Sequence, residues 1–234
     1  MFLLSLVACG PEMATIEGIV YSSFEEESLA MPDARVRILD ADGQVELASA
    51  TTDGKGYFQV EVELGIHVYA EIDGEGLSPA RFPGVVDLPV VQAEDRSLYG
   101  FPSDERLRFE EALTGCPGFD GPGLTVGEVR SYELATVVSG RHPTINNAQV
   151  LVRLADGREA AACYFDEEGT EYDPEALVTG ESGRFALPGI PVGTHELEVT
   201  YQFGEGILET QVYPLHIGKG GTVAPWFPVW VGLP

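Results

Sequence analysis

The chain has 234 residues and carries 13 Lys and Arg against 38 Asp and Glu, a formal net charge of −25. A surface this acidic repels phosphate backbones, which argues against nucleic acid as a partner and suits a divalent cation or a basic surface. Hydrophobic residues make up 44 %, enough for one large or two small cores, and 28 Gly and 16 Pro punctuate short apolar runs, a pattern that favours strands over helices.

The chain opens MFLLSLVACG. Leu6-Val7-Ala8-Cys9 resembles the lipobox of bacterial lipoprotein signal peptides. The resemblance implies cleavage before Cys9, loss of residues 1–8, acylation of Cys9 and, with Gly10 after it, sorting to the outer membrane of the cell envelope. No Lys or Arg precedes Cys9, so the expected translation start lies upstream of Met1. A short buried strand is the alternative, since the stretch is too short to cross a bilayer. Residues 9–13 then form a tether. From Gly10 to Ala14 it reaches roughly 16 Å at ~3.3 Å per residue, and acyl chains contribute ~0.8 kcal/mol per buried CH₂.

A first β domain is expected over 14–98. In ARVRIL (34–39), Ala34, Val36 and Ile38 alternate with Arg35 and Arg37, the period of a half-buried strand. DADG (40–43) carries an Asp-Gly turn signal. Phe58, Val60, Val62 and Leu64 then alternate with Gln59, Glu61 and Glu63, and IHVYAEI (66–72) continues the pattern. Glu25-Glu26-Glu27 reads as an exposed loop. Residues 99–124 read as a linker with one short helix near 103–113, on the spacing of Leu107, Phe109 and Leu113.

Over 125–234 the same unit returns. Thr52 aligns with Thr179, Gly56 with Gly183, Phe58 with Phe185, and Ala34-x-Val36 with Ala148-x-Val150. With one extra residue, Gly65 meets Gly193 and His67 meets His195, both expected at half-buried strand positions. The pattern T-x-x-x-G-x-F, then Gly and an alternating strand, resembles the carboxypeptidase regulatory-like family. That resemblance implies an all-β chain of two tandem transthyretin-like β-sandwich domains, used mostly as accessory modules.

The second copy is longer. Ala34 to Thr52 is 18 residues, whereas Ala148 to Thr179 is 31. The excess falls in an acidic insertion, 158–177, where Asp166, Glu168, Glu171 and Asp173 are candidate Ca²⁺ ligands, although no EF-hand spacing is present; a solvated acidic loop is the alternative. DADG with Asp53 is a weaker candidate of the same kind. With Cys9 assigned to lipid, Cys116 and Cys163 remain as a pair. A disulfide between them is expected in an exported chain and would contribute roughly 4 kcal/mol on the chain-entropy model.

Zinc carboxypeptidases need an H-x-x-E pair with a distant His, and intradiol dioxygenases need two Tyr with two closely spaced His. From His67, His142, His195 and His216 the expectation is that both sets are missing, and no nucleophile elbow or phosphate-binding loop appears. The segment 222–234 holds Trp226, Phe227 and Trp230. It reads either as the strand closing the second sandwich or as an aromatic patch for sugar or peptide, and Pro225 with Pro228 predicts an edge strand or irregular tail. The function expected is a non-enzymatic, membrane-anchored lipoprotein serving structure, adhesion or binding, its partners the membrane and an envelope protein or glycan. A carbohydrate- or peptide-binding accessory protein is the alternative.

Overall fold

A computed structural model describes residues 11–22, 29–92, 98–131, 144–167, 169, 171–203, 207–218 and 223–231. In chain order the first half holds β1 (Met13–Tyr21), β2 (Arg35–Leu39), β3 (Glu46–Thr51), β4 (Tyr57–Glu63), β5 (Ile66–Asp73), β6 (Leu77–Ser78), β7 (Ala80–Val86), β8 (Val90–Gln92), β9 (Leu98–Tyr99) and β10 (Phe101–Pro102). Helix α1 (Ser103–Ala112) follows. The second half holds β11 (Gly123–Ser131), β12 (Gln149–Arg153), β13 (Glu159–Ala161), β14 (Cys163–Phe165), β15 (Tyr172–Asp173), β16 (Arg184–Ile190), β17 (Gly193–Phe203), β18 (Ile207–Ile217) and β19 (Val223–Val231).

Each half is a β-sandwich. In the first, β4-β1-β8, with β9 also on β1, faces β7-β5-β2-β3. The alternation of β4 buries Phe58, Val60 and Val62 and leaves Tyr57, Gln59, Glu61 and Glu63 exposed. Ala14 and Ile16 of β1 meet Val36, Ile38, Ala70 and Ile72 of the opposite sheet in one core. In the second sandwich β15-β14-β16-β11-β19 faces β13-β12-β17-β18, and Val150, Val152, Leu197 and Val199 pack on Val129, Tyr164, Phe185 and Leu187.

The repeated residues build one hydrogen-bonded knot twice. Thr52 Oγ1 accepts from Ala34 N (2.9 Å) and donates to Met31 O (2.7 Å). Thr179 Oγ1 accepts from Ala148 N (3.0 Å) and donates to Ile145 O (2.7 Å). Asp33 and Asn147, each just before the paired Ala, both take positive φ, 58° and 64°. Gly56 and Gly183 sit at φ +74° and +67°, where a Cβ would approach the carbonyl oxygens of Val20 and Val129 within 2.9 and 2.8 Å. Glycine is therefore required by both conformation and space.

The halves are joined through more than a linker. Val223 of β19 pairs with Ala80 of β7, so the two larger sheets run on as one nine-stranded sheet. The first core also extends across the junction: Leu113 after α1, and Leu124, Val126, Cys163, Phe165 and Ala186 of the second half, belong to the same apolar cluster as β1 and β5. Strand β14 is buried on both faces, with Cys163 and Phe165 toward that cluster and Tyr164 toward the second. The helix expected near 103–113 is present as α1. Its aromatic contact is Phe109, edge-on to Phe165 and beside Phe101, whereas Leu107 points to solvent.

The C-terminal segment forms a strand of the second sandwich, one of its two expected readings, but not at an edge. The two prolines predict an edge, yet β19 lies inside the sheet, parallel to β11 on one side and β7 on the other. Two features accommodate them. The register with β11 shifts between Thr125↔Ala224 and Gly127↔Phe227, which places Pro225 in an irregularity. The ladder with β7 is a single pair at Val223, so little of that edge of β19 needs N–H donors.

Candidate functional site

The densest buried polar chemistry lies on the outer face of the first sandwich. Strand register sets Arg37 of β2 opposite Glu71 of β5, and Glu71 opposite Arg81 of β7. Their neighbours Ile38, Ala70, Ile72 and Phe82 face the core, so by strand alternation this ladder faces away from it. Alternation predicts solvent there. The structure instead leaves Glu71 only 1 % and Arg81 7 % exposed, with Leu39 and Tyr69 on the same face also buried.

The second sandwich covers this face. His216 of β18 lies over Tyr69, ring centroids 5.4 Å apart, and its Nδ1 is 2.9 Å from Thr194 Oγ1. Glu71 binds Arg37 through one carboxylate oxygen and Arg81 through the other. Arg37 also reaches Asp73 at 3.0 Å, and Arg81 Nη1 donates to Gly43 O at 3.0 Å. Gly43 takes φ +63°, and a Cβ there would fall 2.6 Å from the His216 ring. The turn signal of DADG is thus also a close approach between the halves. Burial, then the Arg81 charge and His195, push the His216 imidazole down to about 4 against a weaker upward pull from Asp40 and Asp42, so it is neutral at pH 7. Burial also lowers the Arg81 guanidinium.

A second buried carboxylate repeats the arrangement in the other half. Glu128 of β11 is 4 % exposed and takes Arg184 Nε at 3.1 Å and Arg130 Nε at 2.9 Å. Arg184 Nη1 also donates to Gly169 O at 2.8 Å, which ties the acidic insertion to the sheet. The fully buried Tyr99 hydroxyl is pushed well up by burial, with Glu105 and Glu128 adding to it. These carboxylates are each held between guanidinium groups, an arrangement that orients strands and partners rather than one that moves protons.

The acidic turns spend their carboxylates on backbone. Asp40 Oδ1 accepts from Gln44 N (2.8 Å) and Val45 N (3.1 Å), and Asp53 Oδ1 from Lys55 N (2.8 Å) and Tyr57 N (3.0 Å). Those bonds lower both carboxyls. In the insertion Asp166 Oδ1 accepts from Glu171 N (3.3 Å) and Asp173 Oδ1 from Glu175 N (2.9 Å). These are side-chain turns of the kind Asp forms with backbone a few residues on. Among the described residues no three His, Cys, Asp or Glu side chains gather at a distance that would hold a metal ion. Glu168 lies outside them.

Cys116 and Cys163 are joined in a disulfide with Cα atoms 6.0 Å apart, which fastens the segment after α1 to β14. Cys9 lies outside the described residues. The backbone of Trp226, Phe227 and Trp230 is in β19, and their side chains lie outside the described residues.

The two repeat-matched histidines separate. His67 is exposed on β5, whereas His195 is 7 % exposed with Nε2 2.8 Å from Pro191 O. One H-x-x-E spacing does occur, at His195 and Glu198 of β17. Positions three apart on a strand face opposite sides, and Glu198 reaches Arg153 at 3.2 Å, so the pair makes no ligand set. The residues missed by sequence reasoning are Glu71, Arg81, Glu128 and His216. Their signal is cross-strand register, which no local pattern carries.

No protein-family profile matches the chain, and no curated protein matches it in sequence. Among solved structures it is similar to the Bacillus anthracis TIE protein at 11 % identity and a TM-score of 0.31, over 91 % of this chain and 32 % of that one, so the chain spans about a third of that protein. It is similar to GBS52, the minor pilin of the Gram-positive pathogen Streptococcus agalactiae, at 12 % identity and a TM-score of 0.30, over 92 % of this chain and 94 % of that one. It is also similar to BcpA, the major pilin subunit of Bacillus cereus, at 11 % identity and a TM-score of 0.32, over 86 % and 68 %. At these values the functional reading rests on the chain's own residues.

Proposed function

We propose that this chain is a non-enzymatic structural or adhesion module, held at the bacterial cell envelope by lipid on Cys9. The observation that carries the reading is the fusion of its two sandwiches. A shared nine-stranded sheet, a common apolar cluster and the disulfide from Cys116 to Cys163 tie the halves together. The buried charges Glu71, Arg81 and Glu128 are spent on this same scaffold. A body of this kind keeps two surfaces at a fixed spacing and angle, which suits transmission of position or load between a membrane and a partner. The lipobox-like Leu6-Val7-Ala8-Cys9 supplies the anchor, and the likeness of the repeats to carboxypeptidase regulatory-like modules agrees with an accessory role.

The test is intact mass and membrane fractionation of the protein from its native locus beside a Cys9→Ala variant. The reading expects an acylated chain that begins at Cys9 and pellets with the outer membrane, and a variant that stays soluble. An unmodified Cys9 in a cytosolic protein overturns it.

A further inference from the structure

Three exposed apolar side chains gather where the described chain begins. Met13 is 51 %, Leu88 58 % and Val90 50 % exposed. The parallel ladder of β1 with β8 pairs Thr15 with Val90, and Thr15 N donates to Pro89 O at 2.9 Å. Met13 stands two residues before Thr15 on β1, so Met13 and Val90 share the outer face of the sheet, and Leu88 lies in the bend that leads into β8 at the same end. The tether to this end is short. Glu12 O already accepts from Leu64 N at 2.8 Å, which leaves three peptide steps back to Cys9. At ~3.3 Å per residue, the end of the sandwich stays within about 10 Å of that cysteine.

We infer that this end of the first sandwich rests on a zwitterionic lipid surface, with Met13, Leu88 and Val90 seated among the headgroups beside the anchor. The inference depends on the acylation of Cys9 proposed above. Tether length selects the occupant, because a membrane-linked Cys9 holds this patch at the bilayer before any protein partner reaches it. Charge selects the lipid. Glu12, Glu61, Glu63 and Asp87 surround the patch, and the segments 11–16, 61–66 and 86–92 contain no Lys or Arg. Anionic headgroups would repel that rim, whereas zwitterionic ones would not.

The experiment places a fluorophore at the patch. Acylated Leu88→Trp protein is reconstituted in vesicles of brominated phosphatidylcholine, beside the parent and a Leu29→Trp control. Leu29 is 76 % exposed and its carbonyl accepts from Ser22 N, at the opposite end of β1, roughly 26 Å away at ~3.3 Å per residue. The added emission of Leu88→Trp should fall by roughly half while that of Leu29→Trp is unchanged, and phosphatidylglycerol should weaken the quenching. If intact mass shows the lipid and Leu88→Trp is quenched no more than Leu29→Trp, the seat is wrong and the anchor stands. If Cys9 carries no lipid, both readings fall. Quenching that strengthens with phosphatidylglycerol overturns the zwitterionic assignment. Absent quenching, together with dimers that Leu88→Ser abolishes, would give the patch to a second copy of the chain.

Discussion

Replacing Thr179 by Val removes one hydroxyl and little volume from a residue that is 1 % exposed. That hydroxyl accepts from Ala148 N at 3.0 Å and donates to Ile145 O at 2.7 Å. Two such bonds contribute about 1 kcal/mol net each, and stranding a buried N–H adds on the order of 1 kcal/mol or more. The expected loss is therefore about 3 kcal/mol. In a chain of this size that is a fall in Tm of roughly 6–12 °C. Thr52→Val should cost the same, because Thr52 Oγ1 makes the same two bonds at 2.9 and 2.7 Å. Thr179→Ser keeps the hydroxyl and should lose about 1 kcal/mol, the share of the missing methyl. Urea unfolding followed by circular dichroism measures all three, with an unchanged m-value as the sign that only stability moved. If Thr179→Val stays within about 1 kcal/mol of the parent, or Thr179→Ser falls as far as Thr179→Val, the knot is not what holds the repeat together.

Removing the disulfide by Cys116→Ser with Cys163→Ala should cost roughly 4 kcal/mol for a sequence separation of 47, read in the same denaturation assay against the oxidised parent. Glu71→Gln leaves Arg81 and Arg37 without their buried countercharge and should destabilise by about 3 kcal/mol; a loss within experimental error would mean the seam is wet. Acid should weaken the fold in a window set by His216. Its folded pKa, about 4, lies below the unfolded value near 6.5, so the unfolded chain takes up the proton first and stability falls as pH drops through that interval, by about 2–3 kcal/mol. The lowered carboxyls of Asp40 and Asp53 add their own loss at more acid pH, below their ordinary value of 3.8. In His216→Phe the loss between pH 6.5 and 4 should largely disappear while the more acid one remains; an unchanged profile would clear His216 of the effect.

What the sequence determined by itself is the repeating unit. Phe58, Val60 and Val62 alternate with polar residues, and that period alone buries one face of a strand. Thr52 and Thr179, with Gly56 and Gly183, recur because a tight turn and a buried hydroxyl impose their residue types inside each copy of the unit, through bonds that span 18 residues in the first and 31 in the second. The candidate site was legible only in part. Alternation assigns Glu71 and Arg81 to solvent, and for the first sandwich alone that assignment is sound. Only the tertiary structure, by laying β18 and His216 over that face, turns an outward ladder into a buried seam. The same holds for β19, whose prolines indicate an edge until a shifted register with β11 and a single pair with β7 give them room inside the sheet. His67 and His195 align in sequence and part in burial because their strand phases differ: His67 alternates with the inward Val68 and Ala70 of β5, whereas His195 shares the inward face of β17 with Leu197 and Val199. Strand period is set within one copy of the repeat, whereas the layer that covers an outward face is fixed by packing between segments more than a hundred residues apart, as Tyr69 and His216 are.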